Sequence, residues 1–281
     1  MEYVKLNNGV KMPILGYGVY QIADIAECER CVLDAISVGY RLIDTAQAYG
    51  NEEAVGNAIK KCNVPREELF ITTKVWITNA GYEKAKKSIE ESLKKLQLDY
   101  LDLVLIHQPF NDYYGTYRAM EDMYKEGKIK AIGVSNFYPD RLIDVIKFNE
   151  IIPAINQVEA HPFNQQKKPK EIMDNYGVQL QAWAPFAEGK NNIFSDETLK
   201  SVGDKYNKSN AQVALRYLIQ KGISVIPKSV HKNRMEENMN VFDFELSEED
   251  INKIAALDKE ESLFFSHYDP ETVEFLTGFK I

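Results

Sequence analysis

The sequence predicts an α/β fold: a closed (β/α)8 barrel of the TIM type with an N-terminal β-hairpin and extra helices after the late strands. Three observations carry this. From Ile14 onward, apolar runs of strand length alternate with amphipathic segments of helical period, and that alternation implies a parallel sheet covered by helices. The strand-like runs number eight. No linker or change of composition divides the 281 residues, so 1–281 is expected to form one domain. The competing architecture is an open doubly wound sheet, but Gly16-Tyr17-Gly18 lacks the third glycine of a G-x-G-x-x-G turn.

Taken in order, the first element is a pair of short strands meeting at Asn8-Gly9, a strong hairpin signal. The barrel runs follow as I-L-G-Y-G-V, R-L-I-D, L-F-I-T-T-K-V, L-D-L-V-L-I-H, I-K-A-I-G-V-S, A-I-N-Q-V, V-Q-L-Q-A-W and I-S-V-I-P. Between the third and fourth, Ala85, Ile89, Leu93 and Leu96 share one face of a helical pattern. Ser209-Asn210-Ala211-Gln212 and Ser247-Glu248-Glu249-Asp250 read as capping boxes that open two late helices. Cys28 and Cys31 lie in another helical pattern. No helix N-terminus or cationic neighbour to activate a redox pair and no further ligands for zinc are visible, so a core-facing cysteine and one on the helix flank are expected.

A net charge of −8 argues against a nucleic-acid surface, which carries a dominant basic stripe. No stretch is apolar and long enough to span a membrane, and the N-terminus has no signal-peptide pattern. Three cysteines suit a reducing compartment better than a disulfide framework, so a cytoplasmic protein without a metal is expected.

Chemistry in such barrels sits at the C-terminal ends of the strands. The second run ends on Asp44, the third on Lys74, the fourth on His107, the fifth on Ser135-Asn136, the sixth on Gln157, the seventh on Trp183, and the eighth runs into Lys228-Ser229. Each alone has a bland reading: a helix cap, a solvated strand end, a core imidazole. Together with Tyr49 in the loop after Asp44, they converge on one mouth. An ammonium beside a phenol favours the phenolate, and a carboxylate keeps that ammonium charged in a poorly solvated place. Asp44 and Lys74 are therefore expected to lower the Tyr49 pKa, making it a general acid near neutral pH, with His107 donating to an oxygen that gains charge. The set suits protonation of a carbonyl oxygen while another group attacks its carbon.

The stretches G-Y-R-L-I-D-T-A-Q-A-Y-G-N-E-E-A-V-G, I-T-T-K-V-W, L-V-L-I-H-Q-P, A-I-G-V-S-N-F and V-I-P-K-S-V-H-K-N-R-M-E-E-N closely resemble the signatures of aldo-keto reductases, particularly the bacterial 2,5-diketo-D-gluconate reductase-like branch. The resemblance runs nearly end to end. It implies a barrel that uses NADPH without a Rossmann fold and a catalytic tetrad of Asp44, Tyr49, Lys74 and His107. It also implies that Ser135, Asn136 and Gln157 hold the nicotinamide carboxamide and that Trp183 stacks on its ring. Lys228, Ser229, Val230 and Arg234 would grip the 2′-phosphate, and Glu237 and Asn238 the adenine.

This chain departs from the family in having Gln108 after the histidine and Ala184 beside Trp183. The loop after the fourth strand and the tail from Phe264 are short, which implies an open, permissive pocket. Tyr20, Trp76, Gln108 and Phe110, with His267-Tyr268, are candidates for its wall. The expected function is NADPH-dependent reduction of small aldehydes, dicarbonyls or keto-sugars by a monomer. A cofactor-holding binding module of the same fold is the alternative, and a hydrolytic barrel with Glu159 opposite Asp44 is a third reading.

Overall fold

In the computed structural model, which describes residues 2–281, the hairpin pairs β1 (Tyr3–Lys5) antiparallel with β2 (Lys11–Pro13). Its turn differs from the two-residue form that Asn-Gly suggests. Gly9 N–H donates to Leu6 O (2.9 Å), Leu6 N–H donates to Val10 O (2.9 Å), and positive φ falls on Gly9 alone, at 89°. This is the three-residue hairpin, in which a tight turn is followed by one left-handed residue.

The barrel strands are β3 (Tyr17–Gly18), β4 (Leu42–Asp44), β5 (Phe70–Val75), β6 (Leu103–Ile106), β7 (Ile132–Ser135), β8 (Ile155–Glu159), β9 (Gln179–Trp183) and β10 (Ser224–Val225). They form one eight-stranded sheet in sequential order, each pair parallel. Closure comes from the residues just before β3: Val225 N–H donates to Ile14 O, and Gly16 N–H to Val225 O, both at 2.8 Å. Only glycine fits at Gly16, where a Cβ would stand 2.2 Å from a Leu42 methyl.

Helices α1 (Ile25–Ser37), α2 (Glu52–Lys61), α3 (Tyr82–Leu96), α4 (Tyr113–Lys125), α5 (Pro139–Phe148) and α6 (Lys167–Asn175) follow successive strands. The pair α7 (Glu197–Tyr206) and α8 (Asn210–Gln220) fills the β9–β10 connection, and α9 (Lys232–Met239), α10 (Glu248–Ala255) and α11 (Pro270–Gly278) come after β10. Ser209 makes the full reciprocal capping box with Gln212. Ser247 makes only half of one: its hydroxyl accepts from Asp250 N–H, but its own N–H donates to the Tyr206 hydroxyl at 3.0 Å, and the Asp250 carboxylate accepts from the Lys205 amine and from the Tyr206 and Ser247 hydroxyls. Cys28 and Cys31 are buried and unpaired in the core.

The larger core lies between sheet and helices. A smaller one fills the barrel's lower interior, where Leu6 and Met12 of the hairpin meet Leu42, Phe70, Leu103, Leu105, Ile155 and Ile226. Asn7 and Asn8 donate to Pro153 O (3.0 Å) and Lys130 O (2.9 Å), just ahead of β8 and β7. The hairpin therefore plugs the end where the strands begin, and the other mouth is left for chemistry.

Candidate active site

Asp44, Lys74 and Gln157 are presented by β4, β5 and β8, while His107 lies just beyond β6. Tyr49 ends a short 3-10 turn, Gln47–Tyr49, closed by left-handed Gly50 at φ 68°. Two buried amides hold that turn. Gln47 Oε1 accepts from Trp76 N–H (3.1 Å) and Asn79 Nδ2 (2.9 Å), and its Nε2 donates to Ser92 Oγ (3.2 Å). Asn51 accepts from Thr45 Oγ1 (2.8 Å) and donates to Val19 O (3.0 Å) and Ile22 O (3.1 Å). Sequence reasoning passed over both. The available signal was their position: polar residues flanking Tyr49 in a gap that fits no helical or strand period.

Within this frame the Lys74 amine is fully buried. It donates to the Asp44 carboxylate, to Thr45 O at 3.0 Å and to the Tyr49 hydroxyl at 3.3 Å. One ammonium thus contacts both the phenol and the carboxylate. The Tyr49 ring packs edge-on to His107 (centroids 5.6 Å apart), and Trp76 meets the same imidazole at 5.0 Å.

The Tyr49 phenol is pushed well above the ordinary tyrosine range, first by burial, then by the Asp44 carboxylate and by Tyr20. This reverses the direction expected from sequence. Desolvation is the largest influence on the phenol, and burial also draws the Lys74 pKa down against the pull of Asp44. Burial, then the Lys74 charge, holds His107 well below the usual imidazole range, so it is neutral at physiological pH. Its Nδ1 is buried without a partner.

These groups open on a cavity of about 910 Å³. Tyr20, Asp44, Tyr49, Trp76, His107, Gln108, Ser135, Asn136, Gln157, Trp183 and Lys228 line it, with Lys74 behind the phenol. Asn136, left-handed at φ 62°, donates to His107 O and Ser135 Oγ (both 3.2 Å) and accepts from Trp183 Nε1 (2.9 Å). Phe110 stands outside the lining, packed with Trp76, Ile77 and Leu276. His267 and Tyr268 are also outside it; His267 Nε2 instead pairs with Gln108 Oε1 at 2.6 Å.

The tail covers more of the mouth than its shortness suggested. Phe264, Phe265, Phe275, Leu276 and Phe279 line the cavity. Phe265 stacks on Trp183 (5.8 Å, 22°), and Trp76 Nε1 donates to Phe279 O at 2.9 Å. Phe275, Leu276 and Phe279 have the i, i+1, i+4 spacing of one face of α11 and its C-cap, while Phe264 and Phe265 reach the same cavity from the segment before it. Glu159 helps to hold the tail, accepting from His161, from the Ser262 hydroxyl and from Leu263 N–H (2.9 Å). A carboxylate so occupied, and absent from the lining, has no place in a hydrolytic pair with Asp44.

Beyond β10, Lys228 and Arg234 are exposed and make no ion pair among the described residues, whereas Lys232 pairs with Asp34 at 3.9 Å. Helix α9 starts at His231 with no side-chain cap. Unclaimed helix N–H groups beside two free cations form a cradle suited to a phosphate. Ser229 is buried, its Oγ accepting from His231 N–H (3.1 Å), and Val230 O accepts from Arg30 (3.3 Å). Glu237 accepts from the Ser209 hydroxyl, and Asn238 is buried in α9.

A model of the aldo/keto reductase family matches residues 15–259. The chain belongs to this family. An aldo/keto reductase is an oxidoreductase of carbonyl groups, and the barrel described above is shared with its solved members. The chain is 51% identical to the glyoxal reductase of Bacillus subtilis (strain 168) over 92% of its length and 94% of that protein's. It is 42% identical to methylglyoxal reductase DkgA of Escherichia coli (strain K12), covering 91% and 93% respectively. Among solved structures, a Bombyx mori aldo-keto reductase in complex with NADP aligns with a TM-score of 0.88 at 36% identity, over 92% of this chain and 94% of that one.

Proposed function

We propose that this aldo/keto reductase reduces small aldehydes and vicinal dicarbonyls with NADPH, and that Tyr49 is its proton donor. The observation that carries the assignment is the buried Lys74 amine, 3.3 Å from the Tyr49 hydroxyl and paired with the Asp44 carboxylate. A proton donor must hold its proton until the carbonyl oxygen needs it, and burial keeps Tyr49 in the phenol form. As the proton leaves, the phenolate forms beside Lys74, whose ammonium stabilises it where no water competes. Neutral His107 has a single N–H to give, and its place beside Tyr49 suits a second hydrogen bond to the carbonyl oxygen.

NADPH fits the residues present. The cavity extends from the Trp183 ring to Lys228, and the cradle at α9 matches the charge of a 2′-phosphate. When bound, the dihydronicotinamide supplies the hydride to the carbonyl carbon. Ser135, Asn136, Gln157 and Trp183 would hold the nicotinamide, Lys228, Ser229, Val230 and Arg234 the phosphate, and Glu237 and Asn238 the adenine. The substrate class draws support from the relatives named for glyoxal and methylglyoxal, and from aromatic side chains such as Tyr20, Trp76 and Phe265 in the cavity wall.

The test is loss of NADPH absorbance with methylglyoxal, a benzaldehyde, a keto-sugar and a ketosteroid. Turnover of the first two supports the reading. Tight NADPH binding with no oxidation by any of them would favour a cofactor-holding module. We also infer that the protein is a cytoplasmic monomer with no nucleic-acid partner. None of its helices among the described residues is long and apolar enough to cross a membrane.

A further inference from the structure

A buried run of polar side chains leads from the Asp44 carboxylate across the barrel. Gln157 Nε2 stands 2.8 Å from Asp44 Oδ2 and 2.8 Å from Gln181 Oε1. Gln181 Nε2 stands 3.2 Å from Ser224 Oγ. Gln157 faces Gln181 in the β8–β9 register, and Gln181 faces Ser224 in the β9–β10 register, so the three form one row. No side chain in the run is appreciably exposed: Asp44 1%, Gln157 2%, Gln181 0%, Ser224 0%.

The direction of the run is dictated from one end. An ionised carboxylate only accepts hydrogen bonds, so Gln157 must turn its amide N–H groups towards Asp44. The second N–H of the same nitrogen then needs an acceptor, which is Gln181 Oε1. Gln181 is left with its own N–H groups towards Ser224 Oγ. Flipping Gln181 would set N–H against N–H in a dry interior, leaving buried donors unpaired.

We propose that Gln181 is a positioning residue that holds Gln157 with both N–H groups turned inward, leaving Gln157 Oε1 as the amide group offered to the cavity. The inference rests on the NADPH reading, in which Gln157 meets the nicotinamide carboxamide. An oxygen there accepts from the carboxamide NH2 and has nothing to accept from a methyl ketone. Gln181, which lies outside the cavity lining, would thus set which end of the nicotinamide substituent is recognised and keep one donor on Asp44.

The test compares the Kd of NADP+ with that of its 3-acetylpyridine analogue, read by quenching of protein fluorescence. The wild-type protein should bind NADP+ about tenfold more tightly. Gln181→Met removes the acceptor, frees Gln157 to rotate and should shrink the gap to within about twofold. Gln181→Glu keeps an acceptor for Gln157 and should hold the gap. Should the methionine variant fail to fold, Ser224→Ala should narrow the gap part-way. A wild-type gap within twofold, or one unchanged in Gln181→Met or Ser224→Ala, overturns the proposal. Failure of the wild-type protein to bind NADP+ at all would instead overturn the NADPH reading.

Discussion

At the scale of single residues, the site is a balance between burial and pairing. Tyr49→Phe removes the transferable proton while leaving the ring and its contacts. It should lower turnover of methylglyoxal by roughly 100- to 10,000-fold, with NADPH binding retained; near-normal turnover would remove Tyr49 from its role. Lys74→Met tests the pairing. It strands the Asp44 carboxylate in a place where its side chain is 2% exposed, and breaking a buried pair costs on the order of 3–5 kcal/mol. The loss should appear as a lower urea midpoint, and adding Asp44→Asn to Lys74→Met should recover most of it. Asp44 and Lys74 were legible in the sequence because each stands at the end of an apolar strand run, and Tyr49 through its place in the loop just after Asp44. The direction of the Tyr49 shift was not, since it depends on how completely the pocket excludes water.

At the scale of elements, the tail is the least expected part of the site. Its ties include Glu159 at Ser262 and Leu263, Lys190 at Leu263, Gln108 and Tyr138 at His267, and Trp76 at Phe279. Burial brings the His267 pKa down to about 4, with Arg141 adding to the effect. An unfolded histidine titrates near 6.5. Between these values the unfolded chain holds the proton and the folded chain does not, so unfolding gains on folding as the pH drops. His267 therefore contributes stability that is complete above about pH 6.5 and is lost on going down towards 4; His107, also held below the usual range, acts in the same direction. The urea midpoint should fall between pH 7 and 5, and His267→Gln should flatten that fall; an unchanged slope would show that the imidazole does not titrate this way. Sequence pattern could not find the tail's role, because Phe275 and Phe279 share a face of α11 and its C-cap but meet Phe264, Phe265 and the barrel mouth only in space.

At the scale of the whole molecule, charge is divided between the two parts of the ligand's path. The chain carries −8 overall, yet among the described residues the exposed Lys228, ahead of α9, and Arg234, in its first turn, make no ion pair. Arg234→Ala should weaken NADPH binding at least tenfold at low salt, leave NADH binding nearly unchanged, and flatten the salt dependence of the NADPH Kd, measured by fluorescence quenching. An equal loss for both cofactors would place Arg234 elsewhere than on the 2′-phosphate.

The sequence by itself determined the barrel, its eight strands and the ring of groups at their C-terminal ends. Those features are written in local periodicity: an apolar run must end somewhere, and the residue it ends on is carried to the mouth by the fold's geometry. Tertiary structure alone decided three things. It decided the direction in which burial moves Tyr49, because desolvation is a property of the assembled pocket. It folded the tail over the mouth, because Glu159, Gln108 and Trp76 come from three strand ends and meet their tail partners only in space. It aligned Gln157, Gln181 and Ser224 in one row, because strand register, which local pattern does not encode, sets which side chains face one another.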